Sequence, residues 1–146
     1  MIVIASDHAG VELKRMIVEL VRGTGREAGD LGPEDTRSVD YPDFAHRVAA
    51  AVAAGEAERG ILICGTGIGM SMTANRHPGV RAALCHDAFT AEMSRRHNDA
   101  NVLCIGARVT GSGVAEQIVQ VFLETPFEGD RHQRRVEKIE REREDG

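Results

Sequence analysis

The stretch ILICGTGIGMSMTAN, residues 61–75, joins an apolar run to a glycine-rich loop and then to a helical pattern. Cys64 closes the apolar run, and a glycine follows at each of positions 65, 67 and 69. Short apolar runs bounded by turn residues are typical of strands buried on both faces. We therefore predict a strand that ends at Cys64, a tight loop, and a helix that begins near Met70.

The same alternation of strand and helix patterns extends along the rest of the chain. Apolar runs lie at 2–5, 80–84 and 102–105, and a weaker strand is expected at 26–30. Between them, apolar residues recur with helical spacing at Leu13, Met16, Ile17, Leu20 and Val21, at Phe44, Val48 and Val52, and at Ala115, Ile118, Val119 and Phe122. This alternation indicates a parallel sheet covered by helices on both faces. We predict a single α/β domain over residues 1–146, a three-layer α/β/α sandwich of Rossmann-like type with about five parallel strands.

Composition excludes several classes of function. With 42% hydrophobic and 28% charged residues, the chain resembles an ordinary globular protein. A net charge of -5 and only 3% aromatic residues disfavour a nucleic-acid-binding surface. No apolar stretch reaches the length of a membrane span, and the N-terminus lacks the features of a signal peptide. The cysteines have no paired spacing, so we expect reduced thiols and a cytoplasmic protein.

The C-terminal segment RHQRRVEKIEREREDG, residues 131–146, differs from the rest because it is polar almost all round. Only Val136 and Ile139 offer an apolar stripe. This pattern predicts a helix that lies in solvent or packs on another subunit.

Polar clusters follow the first and third predicted strands. Asp7 and His8 lie in SDHAG, and Cys64 begins CGTGIG. Ligands of open parallel sheets bind beyond the carboxyl ends of strands, and right-handed connections can make these two strands neighbours. We therefore expect both clusters to face one cavity, although His8 could instead be a residue of a capped loop.

The glycine loop lets backbone N–H groups approach a ligand closely and point together at an anion. Its G-x-G-x-G spacing differs from both the dinucleotide-binding and the Walker patterns. Met70 stands where a cysteine phosphatase would need arginine. The loop is therefore interpreted as an anion or oxyanion cradle, with a simple strand-to-helix turn as the alternative.

Cys64 lies beside these N–H groups, an environment that favours a thiolate able to act as base or nucleophile. The residues alone do not decide between those roles. We interpret the other two cysteines as structural, because Cys85 and Cys104 lie within apolar runs. We also interpret as structural three histidines that have no obvious partners, namely His46, His77 and His86. No His/Cys spacing suggests a metal site.

Five segments, taken together, resemble the type B ribose-5-phosphate isomerases. They are SDHAG, VDYPDFA, GILICGTGIGMSMTAN, SRRHNDANVLCIGAR and FEGDRHQRRVEKI, which occur in family order from residue 6 to about 139. The family also includes relatives that act on galactose 6-phosphate and allose 6-phosphate. The resemblance implies interconversion of an aldose phosphate and a ketose phosphate, without metal or cofactor.

The resemblance also implies roles for individual residues. Cys64 would be the base that moves a proton between C2 and C1. The loop with Thr66 would stabilise the enediolate, and His97 would open the sugar ring. Substrate-binding positions implied in the same way are Asp7, His8, Tyr41, Gly65, Gly67, Ile68, Gly69 and Asn98, with Arg108, Arg131 and Arg135 as the phosphate clamp. Some family members use a glutamate of the loop as base, but Met70 occupies that position here.

The order of elements adds one inference. His97 precedes the fifth strand, at the amino edge of the predicted sheet, whereas Cys64 ends the third strand at the carboxyl edge. We therefore predict that His97 reaches the active site of a neighbouring subunit, in a homodimer or tetramer. Family members are also dimers or tetramers.

Three alternatives remain beside an isomerase of ribose 5-phosphate and ribulose 5-phosphate. The first is an isomerase of a hexose 6-phosphate from the same family. The second is a sugar-phosphate-binding subunit without turnover, which the set Cys64, Thr66 and His97 disfavours. The third is a nucleotide-binding module, which the glycine spacing disfavours.

Overall fold

Five strands, all parallel, form one sheet in the order β2-β1-β3-β5-β4. The computed structural model describes residues 1–140. The strands are β1 (Ile2–Ser6), β2 (Ala28–Asp30), β3 (Arg59–Cys64), β4 (Ala82–Leu84) and β5 (Val102–Gly106). The helices are α1 (Val11–Gly23), α2 (Tyr41–Ala53), α3 (Ile68–Ala74), α4 (Ala88–Arg96), α5 (Ser112–Glu124) and α6 (Arg131–Ile139), and a short 3-10 turn, His8–Gly10, precedes α1. The predicted α/β sandwich with five parallel strands is confirmed for the described part of the chain.

The core consists of two apolar layers, one on each face of the sheet. Neighbouring residues of β3 point into different layers, since Ile61 and Ile63 pack with α1, α4 and α5, while Leu62 and Cys64 pack with α2 and α3. Both faces of each central strand are therefore buried. This explains why the strands appear in the sequence as continuous apolar runs rather than alternating ones.

Three element boundaries differ from the sequence prediction. Helix α3 begins at Ile68, two residues before Met70, because Gly67 in the left-handed conformation (φ 79°) is its N-cap. Strand β4 begins at residue 82 rather than 80, because the Arg81 amide donates to the Asn101 side-chain oxygen at 2.8 Å instead of a neighbouring strand. Strand β2 is limited to Ala28–Asp30 within the predicted 26–30.

Helix α6 packs in part on its own chain. His132 and Val136 are 5% and 6% exposed, whereas Ile139 is 59% exposed. At the end of the helix, Glu140 accepts hydrogen bonds from the Gly79 amide and from Arg81. The apolar face of this polar helix is therefore covered by the rest of its own chain as far as Val136. Packing of its exposed remainder on another subunit stays a prediction, and residues 141–146 of the predicted helix lie outside the described residues.

Candidate active site

The strand order creates a crevice at the carboxyl ends of β1 and β3. From β1 the chain moves outward to β2, and it then returns to build β3, β4 and β5 on the other side of β1. Such a topological switch point is where open α/β sheets bind ligands. Asp7 directly follows β1, and Cys64 is the last residue of β3, so the two clusters lie at the carboxyl ends of strands that are neighbours, as expected.

Cys64 is positioned by strand pairing on one side and by the glycine loop on the other. It pairs with Gly106 of β5, and its carbonyl accepts the Ala107 amide at 2.8 Å. The Gly67 N–H donates to Cys64 Sγ at 3.1 Å. The thiol is 5% exposed and not disulfide-bonded. The sulfur is therefore held by a backbone hydrogen bond from the loop.

Gly67 is required by the shape of the loop. Its φ of +79° is costly for other residues, and a Cβ there would lie 2.5 Å from Leu84 Cδ1 and 3.0 Å from the Ile105 carbonyl carbon. The next amide, that of Ile68, donates to Thr66 Oγ1 at 3.3 Å. Two of the loop's N–H groups are thus used inside the loop, which leaves fewer of them for an oxyanion than the glycine spacing alone suggests.

Tyr41 and Arg108 border the two ends of the loop. A Cβ on Gly69 would lie 2.6 Å from Tyr41 Cε2, so this glycine lets the phenol ring lie directly against the backbone. Arg108 places its guanidinium beside Gly65, since a Cβ there would lie 3.5 Å from Arg108 Nη1. An aromatic ring and an exposed cation therefore border the backbone of the loop that follows Cys64.

Asp7 and His8 each make a local hydrogen bond that restricts their chemistry. Asp7 Oδ1 accepts the Ala9 amide at 2.9 Å, so one carboxylate oxygen caps the 3-10 turn. His8 Nδ1 accepts the Val39 amide at 3.2 Å. A neutral His8 therefore carries its proton on Nε2 and can serve as a hydrogen-bond donor through that atom.

The remaining predicted site residues lie at the opposite edge of the sheet. His97 caps the C-terminus of α4, and Asn98 lines a cavity of about 600 Å³ together with His77, Arg81 and Glu140. Arg131 and Arg135 lie on α6, and both are exposed. The length of β5 separates this edge from Cys64, about 16 Å at 3.3 Å per residue. One protomer does not bring the two groups together.

His97 belongs to a cluster that the sequence analysis missed. Its ring stacks on that of His132, with centroids 4.2 Å apart and planes inclined by 11°. His97 Nε2 lies 3.9 Å from Glu128 Oε1. Burial, and secondarily the neighbouring His97 and Arg131, lower the pKa of His132. The sequence carried a signal for the burial of His132 but not for its contact with His97, because His132 lies four residues before Val136 and extends its apolar stripe by one turn.

This cluster is also the group that comes nearest to a metal site among the described residues. The ligand atoms of His97, Glu128 and His132 lie within 4.8 Å of one another. However, nearly parallel stacked rings direct their in-plane lone pairs side by side rather than toward one point. A zinc ion needs donor atoms that converge at about 2.0–2.2 Å. The observed arrangement does not fit such a site.

Two histidines for which the sequence showed no obvious partner contact each other, which is compatible with the structural role expected for them. His46 Nδ1 and His77 Nε2 are 2.7 Å apart, because α2 packs on α3 and residue 77 lies in the turn after α3. The two side chains are separated by 31 residues, so only the tertiary fold reveals the pair.

Within residues 1–140, no helix is long and apolar enough to cross a bilayer.

The fold and the carboxyl edge of the sheet define a class of protein. It is a Rossmann-like α/β domain with a thiol, a glycine loop and a cation at its switch point. Comparison with known families narrows the class. Residues 2–139 match the Ribose/Galactose Isomerase family. The chain belongs to this family and is an isomerase.

Individual relatives support the assignment over nearly the whole chain. Ribose-5-phosphate isomerase B of Escherichia coli is 48% identical over 133 residues, which are 91% of this chain and 89% of the relative. D-erythrulose-4-phosphate isomerase of Pectobacterium atrosepticum is 41% identical, over 94% of this chain and 91% of the relative. The solved structure of ribose-5-phosphate isomerase B from Mycoplasma genitalium with bound ribulose-5-phosphate matches with a TM-score of 0.95 and 45% identity, covering 99% of this chain and 97% of that one.

Proposed function

We propose that the protein interconverts D-ribose 5-phosphate and D-ribulose 5-phosphate through a cis-enediolate, with Cys64 as the base. The observation that carries this proposal is the placement of Cys64 at the switch point, with the Gly67 amide 3.1 Å from its sulfur. Membership of the isomerase family and the two relatives named for ribose 5-phosphate support the same reaction.

In the proposed reaction, the Cys64 thiolate removes the proton from C2 of the open-chain aldose. The electron pair forms the C1–C2 double bond, and negative charge develops on O1. The same thiol returns the proton to C1, while O1 gains a proton and O2 loses one as the ketone forms. A base beside a carbonyl carbon has to be paired with preorganised donors for the developing oxyanion.

The glycine loop supplies those donors in our proposal. The first turn of α3 has amides without an acceptor inside the helix, among them that of Gly69. Ile68 and Thr66 hold this part of the loop through their mutual hydrogen bond. The Gly67 amide, already on Sγ, stabilises the thiolate rather than the enediolate.

The proposed substrate contacts use side chains from both edges of the sheet. On the carboxyl edge, Asp7, His8 and Tyr41 would bind the sugar, and Arg108 would bind the phosphate. From the opposite edge, His97 would open the ring, Asn98 would bind a hydroxyl, and two arginines of α6 would complete the clamp. Arg131 and Arg135 form no ion pair within residues 1–140, so both guanidinium groups can bind phosphate through paired hydrogen bonds.

We further propose that the second group comes from a neighbouring subunit. Within one protomer the two groups are about 16 Å apart, too far for one five-carbon substrate. A two-fold homodimer would place one copy of each group at each of two sites. The working unit is therefore a homodimer or a tetramer built from such dimers.

The first experiment measures turnover of ribose 5-phosphate by the native chain and by Cys64→Ala, both with EDTA present. Native activity that disappears in the variant supports a metal-independent isomerase with Cys64 as base. Cys85→Ala is the matched control, because it removes another buried thiol outside the glycine loop. Activity that survives in Cys64→Ala removes the cysteine from its role.

Mixing variants tests the shared site directly. Cys64→Ala and His97→Asn should each be inactive alone. After subunit exchange, half of the dimers are mixed and carry one intact site, so about a quarter of the native activity should return. No recovery, or full activity in a monomer, would contradict the shared site.

Substrate length is the point on which relatives differ, since the family description includes galactose and one relative is named for a four-carbon sugar phosphate. The alternative function is therefore isomerisation of a hexose 6-phosphate such as allose or galactose 6-phosphate. Comparing kcat/KM for four-, five- and six-carbon substrates decides between them.

We also propose a cytoplasmic location, because Cys64, Cys85 and Cys104 are all free thiols.

A further inference from the structure

We propose that His132 is a positioning residue for ring opening, which holds the imidazole of His97 in one orientation through their stacked contact. This inference rests on the proposed role of His97. His132 itself touches no substrate atom in this scheme and acts only through its neighbour.

The geometry of the pair supports a positioning role. His97 lies at the end of α4, where the chain leaves the helix and backbone packing alone leaves its ring partly exposed. His132 is 5% exposed and is held by α6, whose next turn is anchored by the buried Val136. A centroid distance of 4.2 Å and an angle of 11° bring the whole face of one ring against the other. Rotation of the His97 ring would break that contact.

Charged groups surround the stacked pair. The groups that face the pair are Glu128 at 3.9 Å from His97 Nε2, Arg96 at 3.7 Å from Glu128, and Arg131 and Arg135 on α6. His132 Nε2 is buried without a hydrogen-bond partner within residues 1–140. Burial lowers the pKa of His132, and the positive groups nearby act in the same direction. His132 is therefore protonated less easily than an ordinary histidine, while the more exposed ring of His97 lies beside the Glu128 carboxylate.

Ring opening by the His97 imidazole is a balanced step. The C1–O4 bond of the furanose breaks, O4 receives a proton, and the C1 hydroxyl loses one as the aldehyde forms. An imidazole can donate the first proton and accept the second, so no net proton is consumed. The step depends on the direction of the ring nitrogen, and a displacement of about 1 Å can cost about 100-fold in rate.

One reaction of the same site does not need ring opening. Ribulose 5-phosphate carries phosphate on O5, so it cannot close a five-membered ring and remains open-chain. Exchange of its C1 proton with D2O requires the Cys64 base and the enediolate but not His97. The ratio of ribose 5-phosphate turnover to this exchange therefore isolates the step to which His132 contributes.

The experiment compares the native chain with His132→Ala, His132→Phe and the exposed-position control Gln133→Ala. We expect His132→Ala to lower ribose 5-phosphate turnover about 10- to 100-fold while C1 exchange stays close to native. His132→Phe keeps a flat ring and should retain most of the turnover. Equal loss of both reactions, or loss of neither in His132→Ala, would overturn the proposal.

Titration of the histidines by NMR gives a readout that does not depend on turnover. In His97→Phe the ring contact remains but the neighbouring charge is lost, so the pKa of His132 should rise. An unchanged His132 titration would overturn the pairing, even if His132→Ala failed to fold. A native chain that does not convert ribose 5-phosphate would instead refute the proposed function, and the titration would still test the pair.

Discussion

Gly67→Ala is the substitution for which the structure gives the sharpest expectation. The residue combines a φ of +79° with a closed environment, in which a Cβ would lie 2.5 Å from Leu84 Cδ1 and 3.2 Å from the Gly106 amide nitrogen. Leu84 can shift by changing its rotamer, but the backbone of β5 on the other side cannot. The methyl group therefore has to displace the loop itself.

The expected cost has two parts. A left-handed conformation costs a non-glycine residue about 1–2 kcal/mol. Overpacking against fixed neighbours adds about 1–3 kcal/mol. The free energy of unfolding should therefore fall by about 2–5 kcal/mol, a large share of the roughly 5–15 kcal/mol that holds a typical domain together. Activity should fall as well, because the Gly67 amide would move away from Cys64 Sγ.

Gly55→Ala separates the two parts. Gly55 has a nearly identical φ of +76°, but nothing lies within 4 Å of the position of its Cβ. It should therefore cost only the conformational part, about 1–2 kcal/mol. Urea unfolding followed by circular dichroism, at one fixed protein concentration, measures both variants. If Gly67→Ala destabilises no more than Gly55→Ala, the packing argument is refuted.

Three further predictions follow from buried polar groups. Iodoacetamide should label Cys64 before the other two cysteines, whose pKa values burial raises, as peptide mass spectrometry of partially inactivated enzyme would show. Lys14→Met should cost about 3 kcal/mol in the same urea assay, because Lys14 is 1% exposed and donates to Asp30 at 2.7 Å. Arg37→Met, which removes an exposed ion pair, should destabilise the protein much less, and an equal loss in the two variants would contradict the burial argument. The pKa of His132 in the folded state lies below its ordinary value of 6.5, so the unfolded state binds more protons and the free energy of unfolding falls as pH drops below 6.5. His132→Phe should flatten this pH dependence in thermal melts between pH 5 and about 7. An equally steep loss of stability in the variant would contradict the prediction.

Much of the site at the carboxyl edge could be predicted from sequence because its residues are adjacent in the chain. Cys64 and the loop through Gly69 form one continuous segment, and a glycine pattern after an apolar strand has few structural interpretations. Asp7 and His8 follow the first strand directly, so they were expected at the same edge of the sheet as the loop, because all carboxyl ends of a parallel sheet lie at one edge. The start of α3 was missed by two residues, because the conformation of Gly67 is not visible in its identity.

The other edge of the sheet depended on packing. The stack of His97 on His132 joins residues 35 positions apart, and neither apolar periodicity nor motif spacing encodes a contact between two polar side chains. The contact between His46 and His77 was missed for the same reason. Which polar groups meet depends on how α6 and α3 dock, and docking is decided by the shape of the whole core.

The sequence by itself determined the α/β class, the five strands and the chemistry of the Cys64 loop, because these features follow from local periodicity and from the φ values that glycine allows. Only the tertiary structure decided the strand order, the distance of about 16 Å between the two groups of site residues, and the partner of His97. Those features arise from long-range packing, in which each contact depends on the simultaneous burial of many side chains from distant parts of the chain.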